Sequence, residues 1–254
     1  MAIQMGFGPG DFDMKTWRAV AAEFIATGLF VFLGTATVVV VQATLIDPGS
    51  ALIVIALAHG LAFAMLIAAI AHVSGGHINP AITFAAVMTG RLKVSTGALY
   101  VIGQLIASVL AVLLLKGIIA GPMEGMLGAH GLSLGILDDQ LGDGAGAGLL
   151  LEAVLTFTLV FVFFATAIDP RGNKTMAPLA IGLVVLVGYF VAGPLTGASM
   201  NPARSFGPAI VANVWTDHWI YWLGPLIGAA LAALTYEFVF LQREEEDSAV
   251  ADAV

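Results

Sequence analysis

The fold is decided by the stretch GHINPAITF (residues 76–84) and by its counterpart ASMNPARSF (residues 198–206). Asparagine is a strong helix N-cap and proline is favoured at the first helical position, so each Asn-Pro-Ala predicts a helix start. The mostly apolar residues that follow would form about 10 residues of helix, or about 15 Å. Each predicted helix is therefore half as long as the roughly 30 Å hydrocarbon core of a bilayer.

Long apolar runs surround these two segments. They lie near residues 19–41, 51–71, 98–120, 148–168, 177–193 and 219–241. Most contain about 20 residues, enough for a helix to cross the hydrocarbon core. Only 10% of the 254 residues are charged, against about 25% in soluble domains. The predicted fold class is an all-α multi-pass membrane protein with six transmembrane helices and two half-helices.

The composition also narrows the chemistry. The chain contains no cysteine, which excludes disulfides, thiol catalysis and cysteine-zinc sites. Much of the net charge of −8 comes from the acidic end at 244–252, which does not indicate nucleic-acid binding. The zinc-protease pattern His-Glu-x-x-His is absent. We therefore predict no enzymatic activity, no catalytic residue, no metal, no cofactor and no nucleic-acid partner.

The two Asn-Pro-Ala segments belong to an internal repeat. Glu23 and Thr27 in the first apolar run correspond to Glu152 and Thr156 in the fourth. Each half then contains three spans, and an odd number of spans inverts the second half relative to the first. The predicted organisation is an N-terminal segment 1–16, a channel domain 17–242 (repeat one 17–116, connecting loop 117–147, repeat two 148–242) and an acidic tail 243–254.

Basic residues predict the orientation. Basic residues that flank the apolar runs are separated from one another by even numbers of predicted spans, so they lie on the same side of the membrane: Lys15, Arg18, Arg91, Lys93, Arg171, Lys174 and Arg243. The positive-inside rule therefore places both termini, the N-terminal segment and the tail in the cytoplasm. The short loops and the lack of a recognisable targeting segment lead us to expect a prokaryotic cell membrane.

Because the halves are inverted, the half-helices enter from opposite sides and their N-termini should meet near the midplane. Non-helical backbone at that depth is tolerated only where protein buries it or water reaches it. The side-chain oxygens of Asn79 and Asn201 would cap the two helices and leave each amide NH₂ free to donate into a lumen. A water that accepts both donors turns its hydrogens outward, which breaks a proton-conducting chain, while the positive helix ends repel cations.

These motifs resemble the two signature loops of the major intrinsic proteins, the aquaporins, and the similarity extends from Trp17 to about Gln242. The pore motifs would be Asn79, Pro80, Ala81, Asn201, Pro202 and Ala203. The resemblance also implies a narrow filter formed by His59, Tyr189, Ala198 and Arg204. Histidine at the first filter position is similar to tonoplast-type channels and their relatives, some of which pass ammonia. Prokaryotic water channels are the other group that the chain resembles.

Further implications of the resemblance concern the carboxylates within the spans. Glu23 and Glu152 would accept hydrogen bonds from the loops that lead to the half-helices and brace them. His72 and His77 would support the same loops. A proton relay through the two carboxylates is the alternative, since ionisable groups within spans are often functional. Family members are homotetramers with one pore per subunit, which we expect here too.

The predicted function is a passive channel for water that excludes protons and ions, with ammonia and other small neutral solutes as further candidate permeants. The alternative is a glycerol or urea facilitator of the same fold, although Ser205 stands where glycerol facilitators carry aspartate. A third possibility is an ion-coupled secondary transporter, which also uses inverted repeats and broken helices. Apart from these solutes, the predicted partners are membrane lipid and other copies of the chain.

Overall fold

The computed structural model describes residues 3–8, 11–44, 47–119, 127–133 and 144–241. Within them, every regular element is a helix: α1 (Met14–Ala43), α2 (Pro48–Ser74), α3 (Pro80–Met88), α4 (Val94–Ile118), α5 (Gly144–Phe163), α6 (Ala177–Ala192), α7 (Pro202–Ala212) and α8 (Ile220–Thr235). Two π-helical turns, Phe164–Ile168 and Tyr236–Phe240, extend α5 and α8. The all-α fold class is confirmed. The predicted tail 243–254 and most of the connecting loop lie outside the described residues.

Five of the described helices are long and apolar enough to cross a membrane, namely α1, α2, α4, and α5 and α8 with their π-helical turns. The remaining predicted span, 177–193, corresponds to α6, an apolar helix of 16 residues. At 1.5 Å per residue it is about 24 Å long, less than the hydrocarbon core. The helix ends just before Gly193-Pro194, where proline cannot continue the pattern of helical hydrogen bonds.

The half-helices α3 and α7 begin at the prolines of the two Asn-Pro-Ala segments, as predicted. They contain 9 and 11 residues, and their N-caps are Asn79 and Asn201 in extended conformations. The half-helix α3 of repeat one packs against α8 of repeat two, and α7 of repeat two packs against α4 of repeat one. Each half-helix is therefore held by the last helix of the opposite repeat, which is the exchange that an inverted repeat produces.

The long helices approach closely at glycines. Where α2 crosses α6, a Cβ at Gly60 would lie 2.8 Å from the Gly182 carbonyl oxygen. Where α8 packs on α5, a Cβ at Gly224 would lie 2.8 Å from the Glu152 Cβ. Gly228, one turn further along α8, faces the Ala153 backbone in the same way. The small residues spaced four apart in α8 thus permit close packing within the chain.

Both ends of the described chain lie at the same end of the helix bundle. The Val94 and Ser95 N–H groups, at the start of α4, donate to the carbonyl oxygens of Gln4 and Met5 at 2.8 and 3.1 Å. These N–H groups have no partner within their own helix, so the N-terminal segment caps α4. Close by in sequence, Arg91 pairs at 3.0 Å with Glu237 in the turn after α8.

A second ionic group joins the loop after α5 to the end of α8. The Asp169 carboxylate accepts from the Arg171 guanidinium at 2.7 Å and from the Tyr236 hydroxyl at 2.9 Å. The hydrogen-bonded guanidinium holds the pKa of the Asp169 carboxyl well below its usual range. Arg171 also donates to the Phe240 carbonyl oxygen at 2.6 Å. Arg171 and Arg91 therefore lie at the same end of the bundle as both ends of the described chain, as the distribution of basic residues predicted.

The packing of α8 on α5 predicts that Gly228→Val destabilises the protein. A Cβ at Gly228 would overlap the Ala153 carbonyl oxygen and lie 2.8 Å from the Phe157 nitrogen, and overpacking of this kind costs about 1–3 kcal/mol. We expect a lower thermal unfolding temperature in detergent. Gly117→Val is the control, because a Cβ at Gly117 in α4 would meet nothing within 4 Å. Equal unfolding temperatures for the two variants would contradict this account of the packing.

Candidate pore and filter

The two half-helices meet through their asparagines. The Asn79 Nδ2 donates to the Met200 carbonyl oxygen at 2.8 Å, and the Asn201 Nδ2 donates to the Ile78 carbonyl oxygen at 2.9 Å. Each asparagine thus binds the residue that immediately precedes the other asparagine. The two asparagines are 0% and 2% exposed, so this contact lies inside the protein. The inverted repeat predicts this meeting of the two helix N-termini.

The same contacts correct the expectation for the amide groups. The Asn79 Oδ1 accepts from the Ala81 N–H at 2.8 Å, and the Asn201 Oδ1 accepts from the Ala203 N–H at 3.0 Å. The predicted caps are therefore present. Each amide NH₂ has two hydrogens, and one of them is taken by the opposite loop. At most one N–H per asparagine remains to bind a solute, whereas a free NH₂ group was expected from the sequence.

The backbone before each asparagine is strained in the same way. Ile78 and Met200 have φ angles of 55° and 52°, in the left-handed region that bulky residues rarely adopt. Such conformations cost about 1–3 kcal/mol each and persist where the surroundings determine them. They direct the two carbonyl groups toward the asparagine of the opposite repeat, so the strain is part of the contact between the half-helices.

A buried carboxylate holds the first of these loops. Glu23 of α1 is 0% exposed. Its Oε1 accepts from the Ser74 hydroxyl at 2.7 Å and from the His77 N–H at 2.8 Å. Its Oε2 accepts from the Ile78 N–H at 2.6 Å and from the Gln104 amide at 2.9 Å. The four bonds occupy the carboxylate and fix the backbone that leads to Asn79.

Glu152 of α5 holds the second loop with equivalent contacts. It is 0% exposed and accepts from the Thr196 hydroxyl at 2.6 Å, the Ser199 N–H at 2.9 Å and the Met200 N–H at 2.8 Å. These donors correspond position by position to three of the donors to Glu23. In both repeats, therefore, a buried carboxylate holds the loop before the asparagine through hydrogen bonds to its backbone.

Two tyrosines extend this symmetry. The Tyr100 hydroxyl of α4 donates to the Ser74 carbonyl oxygen at 3.0 Å, and the Tyr221 hydroxyl of α8 donates to the Thr196 carbonyl oxygen at 2.8 Å. Neither tyrosine was assigned to the loops from the sequence. The signal was a tyrosine in the last span of each repeat, 21 residues after Asn79 and 20 residues after Asn201.

Of the two histidines expected near the first loop, the structure brings only His77 to it. The His77 Nδ1 lies 3.1 Å from the Thr83 hydroxyl oxygen, and its ring packs edge-on against Tyr100 at 5.5 Å. His72 is exposed and has no hydrogen-bond partner among the described residues. The physical reason is that α2 continues to Ser74, so His72 is still helical and lies on an exposed face. The expectation that His72 braces the loop is therefore corrected.

Arg204 lies in the first turn of α7 and is only 2% exposed. Its Nη1 donates to the Gly128 carbonyl oxygen at 2.6 Å, and its Nη2 lies 3.4 Å from the His59 Nε2. The His59 Nδ1 is 2.9 Å from the Ile55 carbonyl oxygen, which can only accept. The Nδ1 therefore carries the hydrogen, and the Nε2 presents a lone pair to the guanidinium, which can only donate. His59 is thus neutral in this arrangement.

A cavity of about 450 Å³ opens beside Arg204. Arg204, Tyr189 and Gly197 are among the residues that line it. The His59 ring lies 4.2 Å from the Tyr189 ring, measured between centroids. Ala198 is fully buried, adopts a φ of 53° and follows Gly197 directly. The structure thus brings the four residues of the predicted filter into one region.

The connecting loop adds a residue that was not predicted from the sequence. His130 lines the same cavity, its Nδ1 lies 2.7 Å from the Ser205 hydroxyl oxygen, and its ring packs 5.1 Å from that of Tyr221. Burial and the nearby Arg204 guanidinium hold the pKa of His130 well below its usual range, so the ring is neutral. Little in the sequence marks His130, because it is one histidine in a glycine-rich loop with no periodic pattern to position it.

The geometry agrees with the comparisons to known proteins. A family model described as major intrinsic protein matches residues 12–236. Aquaporin TIP4-4 of Zea mays is 47% identical over 233 residues, which cover 90% of this chain and 89% of that protein. Aquaporin TIP2-1 of Arabidopsis thaliana is 42% identical over 250 residues, which cover 95% of each chain. The resemblance to tonoplast-type channels is confirmed.

A solved structure shows the same fold. The aquaglyceroporin of Plasmodium falciparum superposes with a TM-score of 0.77 at 19% identity, over 89% of this chain and 97% of that one. The two relatives named above are plant proteins, so they do not support the expectation of a prokaryotic cell membrane. The family match and the apolar helices together make the chain an integral membrane protein. It belongs to the major intrinsic protein family, the aquaporins.

Proposed function

We propose that the chain is a passive channel for water that excludes protons and ions, and that its pore runs past Asn79, Asn201 and Arg204. The observation that carries this proposal is the meeting of two helix N-termini, next to a cavity lined in part by Arg204, Tyr189 and His130. Relatives of 42–47% identity that are named aquaporins support the same function. We assign the narrowest part of the pore to His59, Tyr189, Ala198 and Arg204.

Unpartnered polar atoms support the passage of water. The Tyr189 hydroxyl, the Arg204 Nε and the His130 Nε2 are buried and have no hydrogen-bond partner among the described residues. All three residues line the cavity beside the filter. Buried polar groups in native proteins nearly always have a partner, and water can supply it in a cavity of this size that offers these three polar atoms. A passing water would meet both donors and acceptors here.

The charge distribution supports the exclusion of cations. The N-termini of α3 and α7 carry partial positive charges and meet inside the protein. The Arg204 guanidinium adds a full positive charge beside the same path. The one N–H that remains on each asparagine can donate to a water oxygen, so that the water's hydrogens point away from both donors. This orientation interrupts the chain of hydrogen bonds along which a proton would move.

The alternatives find less support. A coupled transporter needs a carboxylate that can bind its ion, whereas Glu23 and Glu152 already accept four and three hydrogen bonds from the protein. A glycerol facilitator would have the same fold, but such facilitators carry aspartate at the position of Ser205. Here the Ser205 hydroxyl oxygen lies 2.7 Å from the His130 Nδ1. We retain ammonia and urea as further candidate permeants, and we assign no enzymatic activity to the chain.

We also propose an orientation and an assembly. Both termini would lie in the cytoplasm, because Arg91 and Arg171 lie at the same end of the bundle as both ends of the described chain. The chain would form a homotetramer with one pore in each subunit, as family members do. Large apolar side chains exposed along α4, such as Leu110, Leu113 and Leu114, are suited to contact lipid or a neighbouring subunit.

Stopped-flow light scattering on proteoliposomes tests the proposed permeants. Proteoliposomes with the purified chain should shrink faster than empty liposomes in an impermeant osmolyte, because water leaves through the pore. Re-swelling in glycerol should match that of empty liposomes. Shrinkage no faster than that of empty liposomes would contradict the water channel, and fast glycerol entry would favour the facilitator.

Arg204→Val should relax the selectivity of the filter. Loss of the guanidinium removes both a charge and a large side chain, so we expect urea or proton permeability to rise about tenfold, as when one group in a specificity pocket changes. The measurements are urea-driven swelling and the response of an internal pH dye. Arg91→Val is the matched control, since Arg91 pairs with Glu237 at the end of the bundle. Unchanged selectivity in Arg204→Val would contradict the assignment of Arg204.

Glu152→Gln should destabilise the second loop. Glutamine offers one oxygen and one NH₂ group, so its NH₂ would face an N–H or hydroxyl donor now bound by the carboxylate. Leaving a buried donor unsatisfied costs about 1–3 kcal/mol. We expect a lower unfolding temperature and lower water flux, while Glu237→Gln at the end of the bundle should change neither. A variant of normal stability and water flux would favour the proton relay over the brace.

A further inference from the structure

We propose that Gly34 of α1 is a specificity-determining positioning residue, because it leaves the space in which the His59 ring lies beside Arg204. This inference rests on the proposed filter. Gly34 does not touch the filter cavity, and no motif in the sequence marks it. Its effect would act entirely through His59.

The contact between Gly34 and His59 is unusually close. A Cβ at Gly34 would lie 2.7 Å from the His59 Cδ2 and 3.1 Å from its Cε1, with the Nε2 closer still. Non-bonded atoms do not approach a Cβ below 3.0 Å. The imidazole therefore lies directly over the Cα of Gly34, and any side chain at this position would require the ring to move.

The surroundings determine the direction of that movement. On the α1 side, the ring also meets Phe30 edge-on at 5.9 Å between centroids. Its Nδ1 is bonded to Ile55 of its own helix at 2.9 Å. Its other neighbours belong to the filter: the Tyr189 ring of α6 lies 4.2 Å away between centroids, and the Arg204 Nη2 lies 3.4 Å from the His59 Nε2. A group added at Gly34 would therefore push the ring toward Tyr189 and Arg204 and narrow the filter.

The second repeat shows that helix packing alone does not demand this glycine. Gly34 lies eleven residues after Glu23, and the equivalent position in the second repeat, eleven residues after Glu152, is Phe163. His59 lies twenty residues before Asn79, and the equivalent position in the second repeat, twenty residues before Asn201, is Ile181. The glycine and histidine of the first repeat thus correspond to a phenylalanine and an isoleucine in the second, so the repeated fold accepts a large side chain at the position of Gly34.

The glycines at the helix crossings meet different atoms. A Cβ at Gly60, Gly182 or Gly228 would approach the backbone of a neighbouring helix, which identifies these residues as points of helix contact. The three nearest atoms at Gly34 all belong to the side chain of His59. Gly34 therefore serves the position of one side chain rather than the separation of two helices.

The test uses the full chain in liposomes and compares urea permeability with water permeability. In Gly34→Ala we expect the ratio of urea to water permeability to fall at least about threefold, because a narrower filter obstructs the larger solute more, and one methyl group in a pocket commonly gives this much discrimination. Gly28→Ala in the same helix is the control, since a Cβ there would make an ordinary contact at 3.6 Å with Ala107. An unchanged ratio in Gly34→Ala overturns the proposal.

A double variant separates this mechanism from a general effect on α1. In the His59→Ala background, Gly34→Ala should have no further effect, because the overlapping ring is gone and the two changes are coupled. An equal effect of Gly34→Ala with and without His59 would overturn the proposal. Should Gly34→Ala fail to fold, the double variant must fold and conduct water; failure of both variants also overturns it.

The single variants distinguish this proposal from the proposed function. If His59→Ala and Arg204→Val change the ratio but Gly34→Ala does not, the filter stands and only the role of Gly34 fails. If neither His59→Ala nor Arg204→Val changes the ratio, the filter assignment itself fails, and the role of Gly34 fails with it.

Discussion

The reciprocal hydrogen bonds between Asn79 and the Met200 carbonyl, and between Asn201 and the Ile78 carbonyl, are the contact on which the other features depend. A bilayer core offers no water to free backbone groups, yet two helices begin within this bundle. Each asparagine caps its own helix and binds the opposite loop. Glu23 and Glu152 then accept hydrogen bonds from the strained backbone of the two loops. The polar backbone groups before the half-helices therefore bind to protein, and one amide hydrogen on each asparagine remains for a solute.

Symmetry separates the residues that hold the loops from those proposed to select solutes. The braces are duplicated, with Glu23 and Tyr100 in one repeat and Glu152 and Tyr221 in the other. The proposed filter has no such duplication, because Arg204 corresponds to Ile82 and His59 corresponds to Ile181. A scaffold built twice from the same contacts can tolerate different side chains in the pore. The Gly34 position belongs to this asymmetric set, since its counterpart is Phe163.

Local patterns in the sequence predicted the half-helices, their asparagine caps, the spans and the inverted repeat, because capping and apolar length depend on neighbouring residues. Features that depend on distant parts of the chain were not predicted. The second bond of each asparagine joins residues more than 120 positions apart. The exposure of His72, which was expected to support the loop together with His77, depends on where α2 ends, and His130 reaches the cavity from a loop without periodicity. The role proposed for Gly34 could not be predicted from the sequence, because it depends on the position of the His59 ring.

The most direct test of the central claim is a high-resolution cryo-electron microscopy map of the protein in lipid nanodiscs, in which ordered waters can be seen. The account predicts a continuous file of water density that passes within hydrogen-bonding distance of the Nδ2 atoms of both Asn79 and Asn201. A map in which the two asparagines lie apart, or in which packed side chains or lipid close the space between the half-helices, would contradict it.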